Sequence, residues 1–225
     1  MRMYHPNATS ETRVVYGKEL IAGLGYFEQT ASLAPPFSQV NARLESAEQV
    51  RQLAERAQIE ARVQVRFADY SIDTQLRSMW RASELADGGR RGAISRALFP
   101  EGLNPLVIPT GESQHTTVEQ FAILAHACTV ADADKVLGEW LPRLEEANAK
   151  LKIALQERER RATARAVASA AEESAREDHA LAVDKLMGEV RAIFPKDRKR
   201  WDLIFPDASR RRRRAEPTPQ PSDIG

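Results

Sequence analysis

Residues 19–54, ELIAGLGYFEQTASLAPPFSQVNARLESAEQVRQLA, align without a gap on residues 119–154, EQFAILAHACTVADADKVLGEWLPRLEEANAKLKIA. Glu19, Ala22, Leu24 and Ala31 fall on Glu119, Ala122, Leu124 and Ala131, and Arg43, Leu44, Glu45, Ala47 and Ala54 fall on Arg143, Leu144, Glu145, Ala147 and Ala154. Self-similarity at one fixed spacing marks a repeated structural unit. Each copy holds a short apolar-periodic segment followed by a much longer one. The expected fold is therefore all-α: internally duplicated helical hairpins packed as a four-helix bundle, with long coiled-coil-like helices.

Outward from that stretch, composition agrees. Ala, Glu, Arg, Leu and Gln dominate, aromatic residues are only 6% and Gly only 11 of 225, a mixture of helix formers with little strand character. The single Cys128 cannot close an intrachain disulfide, and no apolar run approaches the ~20 residues that span a bilayer. Met1 to Thr12 lacks an apolar signal-peptide core, so a cytoplasmic location is expected and Asn7-Ala8-Thr9 is not read as a glycosylation site. The net charge of +1 is unevenly spread. Lys196 to Arg214 holds nine Lys and Arg against three Asp, a net of +6, while residues 1–195 carry −3.

Five segments follow. Residues 1–15 read as a flexible N-terminal arm, and residues 16–102 as the first helical repeat. Its first helix starts near Gly17 and ends before Leu33-Ala34-Pro35-Pro36; its second is capped by Ser38 and continues to Asp87-Gly88-Gly89. Within it, Val63, Val65 and Phe67 alternate with Arg62, Gln64 and Arg66, the period of a strand, although no turn residue flanks them. A short helix ends at Phe99-Pro100, and residues 103–115 read as a linker. The second repeat, 116–208, starts at a Thr116 or Thr117 cap; its long helix starts at Asp132 or Asp134 and either continues as a projecting coiled coil or hides a turn within Glu172 to His179. Matching Ile72-Asp73 to Val183-Asp184 gives that helix an 11-residue insertion. Phe99-Pro100 matches either Phe194-Pro195 or Phe205-Pro206. Residues 209–225 read as a disordered basic, Pro-rich tail.

The core stripe is expected to hold Leu44, Leu53, Leu76, Leu144, Leu151, Leu155, Leu181 and Leu186. No catalytic constellation, cofactor or metal site is expected. None of His5, His115, His126 and His179 sits in a Glu-x-x-His pair, and His126 and Cys128, two apart on a helix, point about 200° away from each other. Gly88-Gly89-Arg90-Arg91-Gly92 lacks the strand and the Gly-Lys-Ser/Thr ending of a phosphate loop. Were a catalytic pocket assembled, Glu19, Glu119, His126 and Asp184 would be its candidates. The leading expectation is a non-catalytic structural or adaptor protein that presents helical surfaces to a protein partner or to itself, with Trp80, Trp140 and Trp201 as candidate anchors. The alternative is sequence-independent nucleic-acid binding, or binding of an acidic partner, through Lys196, Arg198, Lys199, Arg200, Arg210, Arg211, Arg212, Arg213 and Arg214. No membrane association is expected.

Overall fold

The structure, a computed structural model, describes residues 4–205. Among them every regular element is a helix: α1 (Ser10–Tyr26), α2 (Glu28–Ala31), α3 (Ala34–Ala86), α4 (Ala93–Leu98), α5 (Asn104–Val107), α6 (Glu112–His126), α7 (Ala133–Ile193) and α8 (Arg198–Ile204). No described helix is long and apolar enough to cross a membrane.

The chain forms two compact units. The first comprises residues up to Leu53 and from Ala166 onward, the second Ala54–Arg165, so each takes part of α3 and part of α7. In the first, α1, the start of α3, the end of α7 and α8 enclose Leu20, Leu24, Phe37, Val183, Leu186, Val190, Phe194, Ile204 and Phe205. In the second, the end of α3, α4, α6 and the start of α7 enclose Ile72, Leu76, Met79, Leu98, Phe99, Phe121, Leu144 and Leu151.

Local chemistry explains the helix ends. Thr9 caps α1, its hydroxyl accepting from Thr12 N at 3.3 Å, so the helix starts at Ser10 rather than near Gly17 and takes in part of the expected arm. Tyr4, ahead of it, is buried. Pro35 and Pro36 open α3 instead of preceding a Ser38 cap, because first-turn N–H groups have no intrahelical partner to lose. α6 starts at Glu112, ahead of Thr116, and α7 runs unbroken through Glu172 to His179, the continuous one of the two alternatives for this helix.

The alternation at Val63, Val65 and Phe67 is helical too. Residues two apart on a helix lie about 200° from each other, so Val65 faces the core while Val63 and Phe67 face outward.

Six of the eight expected core leucines are buried, whereas Leu53 and Leu181 are 62% and 68% exposed. Neither continues its stripe: Leu44 and Ala61 hold the core positions around Leu53, and His179 and Val183 those around Leu181. Leu53→Ala and Leu181→Ala are expected to change stability by less than about 0.5 kcal/mol in urea unfolding. A loss above about 2 kcal/mol would place that leucine in a core.

Candidate functional site

In an uninterrupted helix with a seven-residue stripe, a polar residue at a stripe position is forced inward. His179 of α7 is such a residue, and it is fully buried. Asn41 Oδ1, an acceptor only, lies 3.2 Å from His179 Nε2, so Nε2 carries the proton and Nδ1 accepts from the Tyr4 hydroxyl at 2.9 Å. Asn41 Nδ2 in turn donates to Val14 O of α1 at 3.3 Å. Burial, with the positive charge of Arg13 nearby, lowers the His179 pKa to about 4, and burial raises that of Tyr4, which keeps its hydroxyl a donor. The neutral imidazole is thus the form the site is built for.

Arg13 extends the network. Its guanidinium donates to Pro6 O at 2.6 Å, Ala8 O at 3.2 Å and Arg176 O at 2.9 Å and lies 4.9 Å from the centre of the Tyr4 ring. Residues 4–8 are therefore tied to α1 and α7. Beyond Arg13, the Glu172 carboxylate accepts from the Ser10 hydroxyl and pairs with Arg51 at 2.5 Å. Three elements meet there, on one carboxylate.

The second unit holds an open cleft of about 290 Å³ lined by Val65, Asp69, Thr110, Gly111, Glu112, Ser113 and Arg158. Asp69 of α3 accepts from Gly111 N, 3.1 Å from Oδ1, at the start of α6; burial raises its pKa. Arg158 of α7 lies 3.6 Å from Glu112, with both side chains partly or largely exposed.

Buried positions recur at fixed spacings between the segments that hold these two places. Buried residues of α3 recur 107 residues later in α7, as Phe37 and Leu144, Asn41 and Asn148, Leu44 and Leu151, Ala61 and Ala168, Val65 and Glu172, Ile72 and His179, Leu76 and Val183, and Met79 and Leu186. Buried residues of α1 recur 101 later in α6, as Arg13 and Gln114, Gly17 and Val118, Leu20 and Phe121, and Leu24 and Ala125. The hydrogen bonds agree: Asn148 Nδ2 donates to His115 O at 3.4 Å as Asn41 Nδ2 donates to Val14 O, one pair 107 apart and the other 101. This recurrence needs no 11-residue insertion. Phe99, Phe194 and Phe205 are all buried, each just past the end of a helix, α4, α7 and α8 respectively.

The residues singled out in the sequence fall as follows. Trp80 packs edge-on against Phe99 with Arg91 over its ring, Trp140 lies under Arg143, and Trp201 donates from Nε1 to Phe194 O at 2.9 Å under Arg191; all three are half-buried. Arg198 pairs with Asp202 at 3.9 Å and Arg200 with Asp197 at 3.2 Å, Arg200 also lying 4.8 Å from the Phe194 ring centre. Lys196 has a left-handed backbone, φ 66°, and Lys199 is exposed. Arg210 to Arg214 lie outside the described residues. Glu19 and Asp184 fall in the first unit, Glu119 and His126 in the second; Glu119 is 3.3 Å from His115 and His126 2.8 Å from Glu145. His126 and Cys128 straddle the end of α6, with Cys128 half-buried. In the glycine-rich segment, Gly92 N–H donates to Asp87, which also accepts from Ile94 N and Ser95 N at the start of α4.

The His179 network and the Asp69–Arg158 cleft are absent from the sequence expectations. The signal that marks them is Thr9-Ser10-Glu11-Thr12 against Thr110-Gly111-Glu112-Ser113, with Asn41 against Asn148 and Arg51 against Arg158.

No known family, curated protein or solved structure matches the chain.

Proposed function

We propose that this is a non-catalytic helical adaptor, one helical plan used twice, which binds a partner helix through the outer face of α3. The observation that carries this reading is a stripe of large apolar side chains turned away from the core. Ile59, Val63, Phe67 and Tyr70 span less than a quarter-turn of α3 on the face opposite Ala61, Val65 and Ile72, and Phe67 and Tyr70 are 66% and 70% exposed. Isolated exposed apolar residues are ordinary, but a contiguous aromatic-bearing stripe on a rigid helix is the form that helix-to-helix recognition takes. Recurrence of the burial pattern supports the duplicated plan, and the opposed helix pairs of each unit are what a bundle built from two hairpins requires.

Light scattering on a sizing column, together with pull-down from a lysate, tests the stripe. The wild type is expected to self-associate or retain a partner, and Phe67→Glu to abolish this while leaving helicity and the unfolding midpoint unchanged, since Phe67 supports no core. A strictly monomeric wild type that retains no protein would count against the adaptor reading.

A further inference from the structure

The correspondence between the two units carries an inference about the cleft that is independent of the α3 stripe. In the first unit the place is filled from within: Glu172 reaches between Ser10 and Arg51, and Arg176 stands one turn further along α7, its Nη2 donating to Ala8 O at 2.8 Å. At the matching positions of the second unit Glu172 is replaced by Val65, Ser10 by Gly111 and Arg176 by Asp69, while Arg51 is kept as Arg158. The carboxylate and the hydroxyl have gone, the cation that held the carboxylate remains, and a basic side chain has become acidic. All four of these residues, Val65, Gly111, Asp69 and Arg158, line the open cleft of about 290 Å³.

We propose that this cleft binds a small zwitterion of the α-amino-acid class, its carboxylate on Arg158 and the first amides of α6, its ammonium on Asp69. A carboxylate placed as Glu172 is placed in the first unit regains the guanidinium. Gly111 has no side chain with which to close the amides that open α6, so these N–H groups are the other donors. A simple anion would meet Arg158 but also Asp69 and Glu112; a simple cation would meet those carboxylates but also Arg158. A ligand carrying both charges a few ångströms apart meets each with its opposite. The volume is at the small end for ligand sites and suits a molecule of that size. Because the cleft is open to solvent and its polar contacts are few, the dissociation constant is expected on the order of 1 mM.

The test is an amide-resolved NMR titration of the full-length chain with glycine and L-alanine, beside acetate and methylamine as half-ligands. Saturable shifts confined to residues 110–114 and the neighbourhood of Asp69 are expected with the amino acids, and at least tenfold weaker effects with either half-ligand. Val65→Glu, which restores the internal carboxylate, is expected to abolish saturation. Should that variant fold poorly, Arg158→Gln, at an exposed position, is expected to do the same, and Asp69→Asn, which keeps an acceptor for Gly111 N–H, to weaken amino-acid binding while sparing acetate. Absence of saturable shifts up to 50-fold above ~1 mM, equal binding of acetate, or undiminished binding in Arg158→Gln would each overturn the proposal. None of these outcomes bears on Phe67 or on partner retention.

Discussion

Gly17→Ala is expected to destabilise the protein by about 3 kcal/mol, although alanine is the better helix former by about 1 kcal/mol. Gly17 lies within α1 without a left-handed backbone, so propensity alone favours the change. Space reverses the sign. A Cβ there would overlap Asn41 Oδ1 and approach His179 Nε2 to 3.0 Å. Asn41 would have to withdraw, breaking its bonds to His179 and to Val14 O, and each buried group left unpaired costs about 1–3 kcal/mol. Gly25→Ala in the same helix meets nothing within 4 Å and serves as the control, with stability unchanged or raised by up to about 1 kcal/mol. Urea unfolding measures both. In an Asn41→Ala background most of the Gly17→Ala cost is expected to vanish, since the two side chains compete for one volume; a cost that persists there would show that the strain lies elsewhere.

The matching position in the second unit is Val118, and the residue matching His179 is Ile72. At these spacings the first unit holds a glycine against an asparagine and a histidine, where the second holds a buried valine and a buried isoleucine. This is why the helical class was legible in the sequence while the register was not. Helix-former composition and uninterrupted apolar periodicity were enough to predict α3 and α7. A seven-residue stripe, however, repeats itself, so sliding α7 by one heptad keeps every apolar position in phase. The spacing of one hundred that lays Leu44 on Leu144 is one heptad short of the spacing that lays it on Leu151, its counterpart by burial. The same slip, by four residues, set Ile72 against Val183 instead of His179. Polar residues break the degeneracy: Asn41 and Asn148 each donate to a short-helix carbonyl, and only one register pairs them.

The site was hidden for a related reason. Glu172 and His179 stand in an Ala-rich, charged stretch whose composition reads as solvated, and their burial follows from the partners α1 and α3 bring, not from their neighbours in sequence. Gly17 carried no signal either, because a helical glycine announces close approach without saying to what. Gly23 also marks a close approach, since a Cβ there would come within 2.8 Å of Ile204 O of α8.

Acid is expected to act on the protein through His179 before it acts through most carboxylates. The folded state holds this histidine near 4 against an ordinary 6.5, burial being the main cause and Arg13 the second, so between those values the unfolded chain binds the extra proton. The stabilisation is fully present above pH 6.5, falls as the pH drops, and is exhausted near pH 4, a total loss of about 3 kcal/mol. Asp87 and Glu157 are held near 2, Asp87 by bonds from Ser95, Ile94 and Gly92 that outweigh its desolvation, Glu157 by Arg160 and Arg161, so their contributions are lost only at lower pH. Glu48 and Asp69, raised chiefly by burial, act in the opposite sense and gain stability as the pH falls through their carboxylate range. Of the side chains bonded to the imidazole, the Tyr4 hydroxyl is kept protonated by burial and Asn41 does not titrate, so the change of charge within the network is the imidazole's own. Urea unfolding from pH 7.5 down to 4 is therefore expected to show a midpoint that falls steadily below pH 6.5 in the wild type. His179→Gln, which can still donate to Asn41 and accept from Tyr4, is expected to be less stable at pH 7 yet nearly flat over the same range. An equal slope in both proteins would mean that the imidazole takes up its proton without cost, and that the buried network tolerates the charged form it is built to exclude.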